Sequence, residues 1–234
     1  YIDPHSGFIT MGGAIRRFDN FAMKSWLETR TGLPVSVEND ANCVLLAERW
    51  QGKAAEMANF LVLTIGTGIG GAIFCQHQLI NGARFRAGEF GYMLTDRPGG
   101  RDPRRYSMNE NCTLRVLRHR YAQYIGAPLD SVTGELIFDR YDAGDPVCQR
   151  LVAEFFNGLG HGLYNLVHIF DPQTIFIGGG VVERPGFLTL LRQHLAWFGI
   201  ADYLDTVSHG NDAGLIGAVY HFNQLYRSPD DDRH

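Results

Sequence analysis

The sequence predicts an α/β fold, and three observations carry this prediction. Apolar, strand-like segments alternate with segments of helical periodicity along the 234 residues. Two of these apolar segments, 60–65 and 174–177, run directly into glycine-rich loops. Glycine supplies 28 of the 234 residues, about 12% against a usual ~7%, which indicates backbone that bends sharply or approaches a ligand closely.

The N-terminal part predicts a strand at 8–11, a helix at 21–31, a short buried strand at 34–37 and a helix at 41–50. Gly32, with Pro34 two residues on, ends the first helix. The chain begins at Tyr1 with neither an initiator Met nor a signal pattern, and its start is typical of the interior of a domain. We therefore expect an N-terminally truncated fragment.

The middle and C-terminal parts continue the alternation. A strand at 60–65 and an extended segment at 72–75 flank the loop 66–71, Asn81-Gly82 predicts a hairpin turn, and 97–105 is loop. Further helices are predicted at 113–124, 131–142, 146–170, 187–197 and 213–225, with a strand at 174–177 and a frayed tail. Three glycines in the long helix, at 158, 160 and 162, predict closely packed neighbours, because each costs up to ~1 kcal/mol in a helix interior.

Composition excludes several classes of protein. A 45% hydrophobic share excludes disorder as the main state, and a net charge of −4 gives no basic surface for nucleic acid or an anionic membrane. The apolar runs are far shorter than the ~20 residues of a membrane span. Four widely spaced cysteines without a C-x-x-C pair exclude a disulfide scaffold and the common zinc motifs. We expect a soluble, cytoplasmic protein with no nucleic-acid or membrane partner.

The glycine loop at 66–71 satisfies G-x-G-x-x-G, with Glu89 further on. The dinucleotide fingerprint needs a helix directly after the glycines, whereas 72–75 is β-rich, and no Walker P-loop occurs. The segment 64–71 is therefore predicted to be a strand-turn-strand loop whose amides can bind phosphate, beside the hydroxyls of Thr64 and Thr67. The alternative is a hairpin corner without a ligand.

Three motifs, in the same order along the chain, resemble those of the ROK sugar kinases, a family named after its repressors, open reading frames of unknown function and kinases. They are Val-Glu-Asn-Asp-Ala-Asn at 37–42, Ile-Gly-Thr-Gly-Ile-Gly-Gly at 65–71 and Ala-Gly-Glu-Phe-Gly-Tyr at 87–92, and the segment 171–180 is similar to the family's adenosine-side loop. The resemblance implies the actin-like ATPase (ribonuclease H-like) fold, with two lobes, a cleft and an incomplete first lobe. It places 1–56 and the last helix, 213–227, in the sugar lobe, 57–212 in the nucleotide lobe and 228–234 in a tail.

The resemblance also implies roles for particular residues. Asp40 would take the proton from the sugar hydroxyl, although an Asp at a helix start is often only a cap. Asn39 and Glu89 would bind sugar hydroxyls, and Glu89 could instead be a solvated loop acid. The expected nucleotide-binding residues are Thr64, Gly66, Thr67, Gly68, Gly179 and Gly180.

The sequence departs from the family in three places. The opening Asp-x-Gly-Gly-Thr phosphate loop is absent, so we expect the 234 residues alone to be inactive. Tyr92 stands where many members have a zinc-binding His. Only Cys112 remains of the cysteine cluster, and one thiol cannot build a tetrahedral zinc site, so we expect no zinc.

The resemblance implies a kinase that uses ATP and Mg²⁺ to phosphorylate the 6-hydroxyl of a β-glucoside such as cellobiose. Tyr92 favours this substrate, because an aromatic ring near the anomeric side can stack on an added sugar ring. Two alternatives stay open: a kinase for a monosaccharide such as glucose, allose or N-acetylmannosamine, and a ROK-type sugar-sensing repressor. Because family members are often dimers, a homodimer is a further expectation.

Overall fold

The computed structural model describes residues 1–13 and 15–226, so the expected tail at 228–234 lies outside the described residues. The chain forms two compact units. The first comprises residues 1–13, 15–58, 72–88 and 207–226, and the second comprises 59–71 and 89–206. Residues 57–58, 72–88 and 207–212 lie in the first unit, although they were predicted to belong to the nucleotide lobe.

Groups of strands alternate with groups of helices along the described chain, which agrees with the α/β prediction. The strands are β1 (Ile2–Asp3), β2 (Phe8–Ile9), β3 (Phe21–Ala22), β4 (Phe60–Ile65), β5 (Ile69–Cys75), β6 (Gln78–Leu79), β7 (Thr174–Gly178) and β8 (Leu204–Thr206). The α-helices are α1 (Met23–Thr31), α2 (Asp40–Gln51), α3 (Met108–Asn111), α4 (Leu114–Ile125), α5 (Gly134–Asp142), α6 (Pro146–Phe170), α7 (Phe187–Leu195) and α8 (Ala213–Tyr226). None of the helices described is both long and apolar enough to cross a bilayer.

The first unit combines a small sheet with a helix pair. β2 pairs antiparallel with both β1 and β3, and α1 ends at Gly32 in the left-handed conformation, as predicted. Helices α2 and α8 pack against each other so closely that a side chain at Gly217 would overlap the carbonyl of Cys43. This contact places the start of α2, which carries Asn39 and Asp40, on a fixed support.

Two predictions for the first unit are wrong. Residues 34–37 form no strand, because side chains rather than a neighbouring strand hold their backbone: Val35 N–H donates to Glu28 (3.2 Å) and its carbonyl accepts from the Tyr226 hydroxyl (3.0 Å). The hairpin turn lies at Gln76–His77, not at Asn81-Gly82. Both of these turn residues have positive φ, 50° and 62°, which a two-residue hairpin loop requires.

The second unit contains the parallel part of the fold. β7 pairs parallel with β4, and β8 pairs parallel with β7. In the five-stranded sheet of order β6-β5-β4-β7-β8, β7 lies between β4 and β8 and is buried along most of its length, and helices α4 to α7 pack beside one another. Strand β8 and the short helix α3 carried no recognisable periodicity and are additions to the sequence prediction.

The glycines of α6 have the close neighbours that the sequence predicted. A Cβ at Gly158 would lie 2.6 Å from the Cys112 sulfur, and one at Gly160 would lie 2.6 Å from the Phe198 ring. A Cβ at Gly162 would lie 2.6 Å from the methyl carbon of Met108. The helix therefore uses its small residues to accept side chains from the elements packed on it.

Candidate active site

The loop after β4 is a compact turn with two exposed residues at its tip. Gly66 N–H donates to the carbonyl of Gly68 (2.9 Å), which closes the turn. Thr67 and Gly68 are exposed at its tip, and in the described part of the chain their N–H groups stay available to a ligand. The predicted strand-turn-strand loop is confirmed, and its tip has the donors that a phosphate group needs.

The second glycine loop lies at the same edge of the sheet as the first. β4 and β7 are parallel neighbours in register Thr64↔Gly178, so their carboxyl ends coincide. Gly179 has φ 102°, and a side chain there would overlap the carbonyl of Ile65. The structure thus brings two sequence-predicted groups together: Gly66–Gly68 and Gly179–Gly180. Ligands of open α/β sheets bind outside this strand edge.

Glu89 and Tyr92 bracket a single turn of 3₁₀ helix, Phe90–Tyr92, in the second unit. Tyr92 N–H donates to the Glu89 carbonyl (3.1 Å), and the side chain of Tyr92 is 51% exposed while Glu89 is half-buried. Gly91, between them, packs directly on Asn109. An exposed aromatic ring therefore stands three residues from a half-buried carboxylate, which is an arrangement that can contact a sugar face and its hydroxyls.

In the first unit, Asn39 and not Asp40 caps helix α2. The Asn39 Oδ1 atom accepts from the N–H groups of Ala41 (2.9 Å) and Asn42 (3.2 Å). This use of Oδ1 leaves the amide NH₂ of Asn39 as a donor. Asp40 is the first residue of the helix and is exposed, so the cap does not account for its carboxylate.

Glu38 is a buried carboxylate within the motif at 37–42, and no role was predicted for it. Its side chain is only 3% exposed and accepts from the Asn39 N–H (2.7 Å) and from the Asn42 side-chain amide (3.0 Å). His221 of α8 lies 3.9 Å away. Burial lowers the pKa of His221 and the charge of His5 adds to this, while Glu38 opposes both. A carboxylate directly before the capping residue is a local sequence signal that Glu38 could hold the start of α2. The sequence gives no such signal for its neighbour His221, because His221 is 183 positions further on.

Cys112 is buried against α6. Burial raises the pKa of its thiol to about 12, so the thiolate that a zinc ion needs is disfavoured. Among residues 1–13 and 15–226, no group of three or more His, Cys, Asp or Glu side chains is placed to hold a metal ion. The absence of zinc stays a prediction.

Comparison with known proteins identifies the family. The family model described as "ROK family" matches residues 1–224, nearly the whole chain. The chain belongs to the ROK family. Among the ROK proteins similar to it is a protein named "Beta-glucoside kinase" of Klebsiella pneumoniae, 99% identical over 234 residues, which are all of this chain and 79% of that protein.

Solved ROK structures share the fold. The Lmo2764 protein of Listeria monocytogenes superposes with a TM-score of 0.91 at 57% identity, over 96% of this chain and 78% of that one. A ROK family glucokinase from Streptomyces griseus, solved in complex with glucose and AMPPNP, gives a TM-score of 0.78 at 25% identity, over 93% and 77%. The fold is therefore the actin-like ATPase fold of ROK sugar kinases, as the resemblance implied.

Proposed function

We propose that the protein is an ATP-dependent kinase that phosphorylates the 6-hydroxyl of a β-glucoside such as cellobiose. The observation that carries the proposal is 99% identity, over every residue of this chain, to a protein named beta-glucoside kinase. The structure adds an exposed carboxylate at the start of a helix and a turn whose exposed tip carries the Thr67 and Gly68 amides. Both belong to the chemistry of phosphoryl transfer, which relies on an oriented alcohol and on donors to the phosphates.

Asp40 is the proposed general base. It would accept the proton of the sugar 6-hydroxyl as that oxygen attacks the γ-phosphorus of ATP. Asn39, fixed by its role as the cap of α2, would donate its amide N–H to a neighbouring hydroxyl. The buried Glu38 carboxylate accepts from the Asn39 backbone N–H, so Asn39 and the neighbouring Asp40 would be preorganised before the sugar binds.

The tip of the loop after β4 is the proposed phosphate site. The Thr67 and Gly68 amides, with the Thr67 hydroxyl, would donate to phosphate oxygens, and Gly179 and Gly180 would let the nucleotide lie against backbone. Thr64, half-buried at the end of β4, would support this edge. ATP is proposed to bind as its Mg²⁺ complex, which neutralises charge on the transferred phosphate.

Tyr92 is the proposed reader of the second sugar ring, with Glu89 binding ring hydroxyls. An exposed aromatic face can stack on a sugar, and we take its contribution to be of the same order as that of an aromatic ring pair, about 0.5–1.5 kcal/mol beyond area burial. The Tyr92→Ala variant should therefore lose up to about tenfold in kcat/KM for cellobiose and less for glucose. The Tyr92→Phe variant keeps the ring and is the matched control.

The proposal is tested by ADP release from the intact parent protein with MgATP and a panel of sugars, followed by NMR assignment of the phosphorylated carbon. Turnover with cellobiose should exceed turnover with glucose, and the phosphate should be on C6. Faster turnover with glucose would replace the disaccharide proposal by a monosaccharide kinase. ADP release with none of the sugars would favour a sugar-sensing protein.

We further propose that the enzyme works in the cytoplasm, where ATP is available and where its four free cysteines stay reduced. A homodimer is proposed as its assembly, and light scattering after size exclusion tests it directly.

A further inference from the structure

Asn109, on the short helix α3, is hydrogen-bonded to the first residue of β5, which directly follows the Gly66–Gly68 turn. Its Oδ1 atom accepts from the backbone N–H of Ile69 at 2.7 Å. A Cβ at Gly68 would lie 3.3 Å from the same oxygen, so this side chain also lies against the turn itself. These residues are all in the second unit, and 40 positions separate the two bonded partners.

A second tether holds the other end of the turn and comes from the same segment. The backbone N–H of Leu114 donates to the carbonyl of Gly66 at 3.2 Å. Thr113, the residue before it, is buried and caps α4 by accepting from the Val116 N–H (3.2 Å). The segment 109–114 therefore fixes both ends of the turn, and the exposed residues Thr67 and Gly68 lie between those ends.

Asn109 also touches the turn that carries Glu89 and Tyr92. A side chain at Gly91 would overlap the Asn109 amide and would lie 2.5 Å from the Ile69 carbonyl. One side chain thus lies between the loop proposed to bind phosphate and the residues proposed to bind sugar. A shift of Asn109 would move both, and a misplacement of about 1 Å costs ~10²-fold in rate in this kind of chemistry.

We propose that Asn109 is a positioning residue that holds the Gly66–Gly68 turn in its nucleotide-binding conformation and aligns it with the Glu89–Tyr92 turn. This inference rests on the proposed function, because it takes the turn to be the phosphate site. Asn109 itself touches no substrate in this role. It acts through the Ile69 amide and through Gly91.

The test compares the Asn109→Ala variant with Asn111→Ala from the same helix. Asn111 also bonds backbone carbonyls, those of Arg105 (3.4 Å) and Ser107 (3.2 Å), but lies away from the turn. AMPPNP affinity is measured by calorimetry, and hydrogen exchange of the peptide around 60–75 is followed by mass spectrometry. Asn109→Ala should weaken AMPPNP binding about tenfold, the upper range for one lost hydrogen bond, and should speed exchange of this peptide. Asn111→Ala should do neither.

A third variant keeps the inference testable if Asn109→Ala does not fold. Asn109→Asp retains the oxygen that accepts from Ile69, so exchange of the peptide should stay within about twofold of the wild-type rate. Exchange as fast as expected for the alanine variant would overturn the proposed tether. AMPPNP affinity within twofold of wild type in Asn109→Ala would overturn its role in nucleotide binding.

Failure of the proposed function would look different. In that case the unsubstituted intact parent protein would release no ADP with any sugar, whereas the binding and exchange measurements would still decide the role of Asn109.

Discussion

Replacement of Asp40 by Asn separates a catalytic carboxylate from a structural one. The substitution keeps the size of the side chain and its ability to accept from the Ala41 N–H (2.9 Å). It removes only the negative charge and the capacity to accept a proton. Since Asn39 already caps α2, the helix keeps its cap in the variant.

The expected effects on stability and on rate differ in size. Loss of a negative charge in the first turn of α2 removes about 0.3–1 kcal/mol of interaction with the helix dipole. For a chain of this length that corresponds to a fall in Tm of roughly 1–4 °C. Loss of a general base costs typically 10²–10⁴-fold in rate, so the barrier rises by at least about 2.7 kcal/mol. The rate effect therefore exceeds the stability effect.

The assay is ADP release by the active enzyme at saturating MgATP and sugar, with Tm measured by calorimetry on the same samples. We expect kcat to fall by at least about two decades while KM for both substrates changes much less. Asp145→Asn is the matched control, because Asp145 caps α6 by accepting from Val147 (2.8 Å) and Cys148 (3.1 Å) and has no role in the proposed site. Its kcat should stay within twofold of wild type.

A kcat for Asp40→Asn within about threefold of the parent, in a protein that binds both substrates, would refute the base assignment. The base assignment would also be refuted if the activity of Asp40→Asn fell only in proportion to a large loss of folded protein, because the carboxylate would then have a structural role.

Three further outcomes are expected. Gly217→Ala should lower the free energy of unfolding, measured by urea titration, by at least about 1 kcal/mol, because the new Cβ would overlap the Cys43 carbonyl. Gly214 has open space around it, so Gly214→Ala should raise the free energy of unfolding by up to about 1 kcal/mol. Burial holds the pKa of His221 below its usual 6.5, so the unfolded chain binds more protons and stability should fall as pH drops through 6.5. This fall, at most about 1.4 kcal/mol per pH unit for one group, should be smaller in His221→Gln. Metal analysis should find well under one zinc per chain, because Cys112 alone remains of the expected ligand set and one thiol cannot build a tetrahedral site; one zinc per chain would contradict this.

The sequence predicted the long regular elements well. The strand at 60–65 and the helix at 146–170 match β4 and α6 to the residue, because a continuous apolar run and a sustained helical periodicity are strong local signals. The conformation of the glycine loop after β4 was also predicted from the sequence, because a β-rich segment follows it where a dinucleotide-binding site needs a helix. The family motifs placed Asn39 and Asp40 at the start of a helix, where the structure has them.

The errors share one cause. Residues 34–37 have strand-like composition, but a strand also needs a partner, and side chains hold the Val35 backbone instead. Asn81-Gly82 has the composition of a hairpin turn, yet the turn formed at Gln76–His77, where the pairing of β5 with β6 requires positive φ. Local composition carries no information about which backbone groups meet.

The sequence by itself determined the class of the fold, the family and the types of residue available for the reaction, because periodicity and motifs depend on residues that are close together in the chain. Tertiary structure decided which of two adjacent side chains caps α2, that Glu38 is buried beside His221, and that Asn109 is bonded to Ile69. These contacts join positions 40 or more apart, or depend on how one side chain turns. Only the folded chain fixes them, because a hydrogen bond forms where burial and geometry bring donor and acceptor within about 3 Å.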